Sequence, residues 1–131
     1  PKKPMAAWQT SFAKFVDELE LTTSSDELKA KFARQEVIWE GIFKGISSDS
    51  YKGDIINIDL GRTSKTVIYD LFPTLSTIDE WKQVTPNTKV RFQGKIRGVS
   101  ANAMSLSIRS QNYNTSIVNI CGVKFLEEVK P

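Results

Sequence analysis

The side chains in this sequence best equipped for chemistry are cationic. In Lys89-Val-Arg-Phe-Gln-Gly-Lys-Ile-Arg-Gly98, strict alternation puts Val90, Phe92, Gly94 and Ile96 on one face and Arg91, Gln93, Lys95 and Arg97 on the other. A row of guanidinium and ammonium groups on the outer face of a strand can hold phosphates, and aromatic rings beside it can stack on bases. Arg109 on a following strand and Lys44 on an earlier one extend the row; Tyr51 and Lys52 in a loop, and Tyr113 further on, complete the candidate set. The plainer alternative is a solvated strand face, or an edge kept charged against aggregation.

Other chemistries lack their parts. The 131 residues include no histidine, which removes the commonest general base, the triads built on it and the usual zinc sites. The one cysteine, Cys121, cannot form an internal disulfide, and its neighbours Ile120 and Val123 predict a buried thiol. Gly41 and Gly45 fall in a strand pattern without the Lys-Ser/Thr of a phosphate loop. Asp54, Asp59 and Asp70 could meet at a divalent cation, but solvated sheet carboxylates are the better explanation, because nothing fixes a coordination geometry. The expectation is a protein that is not an enzyme, with no cofactor and no metal.

Composition is that of a globular chain, 40% hydrophobic and 25% charged, so disorder is excluded. A net charge of +3 is a mild basic excess that favours an acidic partner only slightly. No run of about 18 apolar residues is present, so no transmembrane helix and no membrane partner is expected. The opening Pro-Lys-Lys-Pro-Met lacks the apolar stretch of a leader, and the compartment stays open between cytoplasm and a mature exported form.

These groups need elements to position them. Trp8, Phe12, Phe15, Val16 and Leu19 recur at helical spacing and predict a helix over 5–19; Ser24 to Glu27 has capping-box spacing and opens a second helix reaching about Gln35. Residues 1–35 thus read as a helical hairpin. Extended patterns follow at Val37 to Ile46, Asp54 to Leu60 and Thr66 to Phe72, with a loop over Ser47 to Gly53. Thr77 to Glu80 offers a cap for a short helix holding Trp81. After the basic strand, Val99 to Ala103 reads as a hairpin connection to Met104–Arg109, Ser110 to Ser116 as polar loop, and Ile117 to Leu126 as a last strand before a frayed tail. The expected core is Trp39, Phe43, Ile56, Ile58, Val67, Tyr69, Val90, Phe92, Ile96, Leu106 and Ile108. One domain over 1–131 is expected, a barrel at 36–131 carrying the hairpin.

Three strands, a short helix and two more strands, with a glycine-bent first strand, is an order that resembles the OB-fold, a small Greek-key barrel. The run Trp81-Lys-Gln-Val-Thr-Pro-Asn-Thr-Lys-Val-Arg-Phe-Gln-Gly-Lys-Ile96 is similar to the helix, turn and fourth strand of bacterial OB domains of the anticodon-binding type, and the likeness covers about Val37 to Arg109. It implies a mainly β, antiparallel barrel of five or six strands that binds single-stranded DNA or RNA with weak sequence preference. The helical hairpin and the run after Ile117 are additions that could cover that surface. Against nucleic acid, Asn57, Asp59 and Asp70 face outward on strands two and three, where such domains usually bind. The competing expectations are a protein-interaction module that docks a partner through the hairpin or a barrel edge, and an exported OB-type domain with another ligand.

Overall fold

The computed structural model describes residues 4–22, 24–61, 66–108 and 111–130, and their side chains except those of residues 25, 66, 100–108 and 111–115. A 3-10 turn at Ala7–Gln9 leads into α1 (Phe12–Leu21) and α2 (Ser25–Phe32). Strands β1 (Glu36–Asp49), β2 (Gly53–Asp59) and β3 (Thr66–Leu71) follow, then α3 (Ile78–Lys82), β4 (Thr88–Ile108) and β5 (Gln111–Glu128). They form one mixed sheet of five strands in the order β2-β1-β4-β5-β3.

Local chemistry accounts for most boundaries. Ser11 caps α1, its hydroxyl accepting from the Lys14 amide at 3.3 Å, so the helix expected over 5–19 is divided, and the segment carrying Trp8 is a separate turn. Gln9 ties that turn down, accepting from the Ala6 amide and donating to the Glu36 carbonyl, both at 2.8 Å. Ser24 accepts from the Glu27 amide at 3.1 Å and opens α2 as expected. That helix stops at Phe32, short of Gln35, because Arg34 takes a left-handed conformation, φ 67°. The cap expected at Thr77 does not form: its hydroxyl accepts instead from the Thr74 amide at 2.8 Å.

The basic strand keeps its alternation, with Val90, Phe92 and Ile96 fully buried. Trp39, Phe43, Ile56 and Ile58 are buried as expected, whereas Val67 and Tyr69 are half-buried and the side chains of Leu106 and Ile108 lie outside the description. Cys121 is half-buried rather than buried. Gly41 and Gly94 have no room for a side chain: a Cβ on Gly41 would stand 2.6 Å from the Asp59 carbonyl oxygen, and one on Gly94 would stand 2.4 Å from an Ile120 methyl. Each is a point where the neighbouring strand closes in on the backbone.

Aromatic rings fill both ends of the inward face. At one end Trp39 meets Phe12 and Phe15, each at 5.1 Å between centroids, and Phe32 meets Trp8 at 4.9 Å. The Trp39 indole donates to the Trp8 carbonyl at 3.1 Å, so α1, α2 and the 3-10 turn share one core with the sheet. At the other end Trp81 of α3 stacks on Phe43 at 5.4 Å and donates to the Val123 carbonyl at 3.0 Å. Removing one such ring typically costs about 3–5 kcal/mol.

Four expectations about the sheet are corrected. The sheet is not purely antiparallel: β3 runs parallel to β5, from Thr66 opposite Thr115 to Leu71 opposite Ile120. Parallel neighbours require a long crossover, which α3 and β4 supply. The loop expected over Ser47 to Gly53 is mostly hairpin ladder, with only residues 50–52 in the turn, because the Asp49 carboxylate accepts from the Tyr51 and Lys52 amides at 2.7 and 3.0 Å. No hairpin interrupts Val99 to Ala103. That stretch has turn-favouring Ser100 and Asn102 but no Gly or Pro, and β4 runs through it with a register shift between Ser100 and Met104. The polar run read as loop lies largely in β5, pairing as far as Ile108 with Gln111, since ladder bonds are made by the backbone whatever the side chains.

β2 and β3 occupy the two ends of the strand order and are joined by side chains rather than a ladder. The Tyr69 hydroxyl donates to the Ile58 carbonyl at 2.9 Å and accepts from the Leu60 amide at 3.1 Å. Burial raises the Tyr69 pKa above 10.0, while the Leu60 amide pulls it the other way.

Candidate nucleic-acid interface

The alternation of β4 does place Arg91, Lys95 and Arg97 on its outward side, but the three are not equivalent. Arg91 lies between two carboxylates on the flanking strands, donating to Glu40 at 2.9 Å and pairing also with Glu127. Its register explains this: Arg91 stands opposite Glu40 on β1 and Glu127 on β5. Exposed pairs of this kind are worth only about 0.2–1 kcal/mol each, yet two negative charges around one guanidinium leave the spot net acidic. Arg91 is therefore a cross-strand clamp.

Lys95 and Arg97 are exposed and have no ion-pair partner among the described residues. Lys95 borders a shallow cleft with Lys124 and Glu36. Arg97 faces an open cleft of about 650 Å³ between α2 and β4, where Lys29 and Arg34 join it with the amide side chain of Asn119. Lys29 and Arg34 are the residues that sequence reasoning missed. Lys29 falls within the expected second helix and Arg34 near its end, but their meeting with Arg97 depends on a tertiary link: the Arg34 amide donates to the Ile96 carbonyl at 2.8 Å, and the Ile96 amide to the Gln35 carbonyl at 2.9 Å.

The remaining candidates lie elsewhere. Glu36 opposite Lys95 begins the 14-residue β1, whereas Asp49 and the turn bearing Tyr51 and Lys52 end it, so these two groups sit at opposite ends of the strand. Tyr51 is 98% exposed at the tip of that turn. Its neighbour Asp49 has a pKa lowered from 3.8, first by the Tyr51 amide and then by the Lys52 amide. Lys52 is paired with Asp70 at 3.1 Å, and Lys44 donates to the Asn87 side chain at 2.9 Å. Arg109 lies outside the described residues; Tyr113 is placed only by its backbone, opposite Leu106 in the β4–β5 ladder.

The outward face of β2 and β3 carries two carboxylates, Asp59 and Asp70, the second of them paired with Lys52. Asp59 and Asp70 border its cleft of about 400 Å³ with Lys44 and Asn57. The three aspartates considered for a cation are dispersed: Asp54 accepts from the Ser48 hydroxyl and Asp59 from the Gly61 amide, both at 2.9 Å, while Asp70 holds Lys52. Among the described residues no group of three or more acidic, cysteine or histidine side chains is arranged to hold a metal ion. None of the described helices is long and apolar enough to cross a membrane.

Neither a protein-family model nor any curated protein matches this chain in sequence.

Proposed function

We infer that the chain is a non-catalytic binding module with an OB-type barrel, and that its ligand is single-stranded nucleic acid held with weak sequence preference. The strand order supports the barrel: β2 and β3 are left as the two ends, Tyr69 spans the space between them, and a helix lies between β3 and β4. Rings occupy both ends of the inward face, which favours an external groove over an internal pocket as the place of binding.

The observation that carries the functional reading is that Arg97 stands outward beside Arg34 and Lys29 in a cleft lined by no described carboxylate, with Lys95 two residues along the same face, opposite Glu36 but in no ion pair among the described residues. The path of a strand follows these cations along β4 and α2. It avoids β2 and β3, where the Asp59 carboxylate has no ion-pair partner among the described residues and would repel phosphates, and where Lys52 is already held by Asp70. A partner docked on the helical hairpin has less support, because Phe12, Phe15, Val16, Leu19, Leu28 and Phe32 already bury the apolar faces of α1 and α2 in the core.

Fluorescence anisotropy with a labelled random-sequence single strand at low salt tests the reading. Three phosphate contacts, at Arg34, Lys95 and Arg97, give a logarithmic salt slope of about −2. A folded protein that binds neither DNA nor RNA single strands at low salt ends it.

A further inference from the structure

Cations from three separate stretches of chain converge on the cleft between α2 and β4: Lys29 from the helix, Arg34 from the link to β1, and Arg97 from β4. No described carboxylate lines that cleft, so like charges face about 650 Å³ of open volume uncompensated. The backbone enforces this placement. Arg34 adopts φ 67°, a conformation in which glycine is the unstrained choice, and is held there by the hydrogen bond its amide donates to the Ile96 carbonyl. A long cationic side chain thus stands at a position where backbone geometry alone favours none. The carbonyl end of α2 lies nearby with the wrong polarity for an anion, but the Lys29 and Phe32 carbonyls already accept from the Ala33 and Gln35 amides at 3.2 and 3.1 Å.

We propose that this cleft binds the phosphate of a nucleotide, with Lys29, Arg34 and Arg97 around its oxygens and the wall formed by Val99 and Ile117 against the sugar or base. The Asn119 amide offers both a donor and an acceptor to the rest of the nucleotide. This rests on the nucleic-acid reading and gives it an anchor: one nucleotide of the strand is seated here and the rest runs on toward Lys95. Guanidinium groups suit the task because they pair with phosphate bidentately and stack on bases.

The test uses the full chain, its Arg34→Gly variant and, as a control, Lys82→Gln on α3, with four probes: thymidine 5′-monophosphate, thymidine, inorganic phosphate and a labelled oligothymidylate. The monophosphate shifts the backbone amide signals of Arg34 and Arg97, and thymidine does not. Arg34→Gly relieves a strained conformation, so it keeps or raises the melting temperature while weakening the oligonucleotide about tenfold, the equivalent of one charged hydrogen-bonding contact. Lys82→Gln binds like the parent. Equal oligonucleotide affinity in the parent and Arg34→Gly overturns the cleft while leaving the nucleic-acid reading intact. Monophosphate binding without oligonucleotide binding removes that reading and keeps the phosphate site. Inorganic phosphate binding as tightly as the monophosphate overturns the assignment to a nucleotide, and silence from every probe overturns both.

Discussion

Replacing Tyr69 with phenylalanine isolates what joins β2 to β3. The ring keeps its edge contact with Phe12 at 5.5 Å, so the change removes only the hydroxyl with its bonds to the Ile58 carbonyl and the Leu60 amide. A typical bond of this kind contributes about 1 kcal/mol net, and a buried group left unpaired costs about 1–3 kcal/mol. Because Tyr69 is only half-buried, water can reach part of the vacated position. The expected loss is therefore about 1–3 kcal/mol, equivalent for 131 residues to a fall in melting temperature of roughly 4–10 °C. Urea denaturation at neutral pH measures it. An alkaline series adds a second readout. With the native phenol pKa raised above 10.0, the neutral phenol's contribution is complete below pH 10.0 and lost as pH rises through the native value. The phenylalanine variant lacks that alkaline loss. A change below about 0.5 kcal/mol with the same alkaline behaviour in both proteins would mean that the hydroxyl does not hold the two strands together.

Gly94→Ala drives a methyl to within 2.4 Å of Ile120 and should cost about 1–3 kcal/mol by overpacking; a neutral result in urea denaturation would show that β5 yields easily there. Trp39→Phe leaves the buried Trp8 carbonyl without its donor and should lose about 1–3 kcal/mol in the same assay. The Asp49 carboxyl should titrate below 3.8 by carbon-detected NMR. The stabilisation it gives the β1–β2 turn is complete above pH 3.8 and disappears as pH falls through the lower native value, and a midpoint at or above 3.8 contradicts the two amide bonds. In oligonucleotide titrations Arg91→Gln should leave the salt slope unchanged, because its charge is taken up by Glu40 and Glu127, whereas Arg97→Gln should reduce the slope by about 0.7; equal effects would deny the distinction between clamp and contact.

Much of the fold was legible from periodicity. Residues an even number apart, such as Val90, Phe92 and Ile96, must share a face of a strand, and residues three or four apart in Phe12, Phe15, Val16 and Leu19 must share a face of a helix, so burial follows from spacing alone. The cap at Ser24 is likewise local, since a side chain reaches an amide three residues on, whereas the equally local cap at Ser11, which divides the first helix, was not read. Val99 to Ala103 and the polar run after it were misread because composition reports what side chains prefer, while a ladder depends on whether a partner strand is alongside. The candidate site divides on the same line. Sequence alone established that Arg91, Lys95 and Arg97 face one way. Only the register of β1 and β5 decided that Arg91 meets two glutamates, and only the Arg34 link to Ile96 brought Lys29 and Arg34 beside Arg97. Charge acts through space, so a cation's neighbours, and with them its availability to a ligand, are set by strands and links far away in the chain.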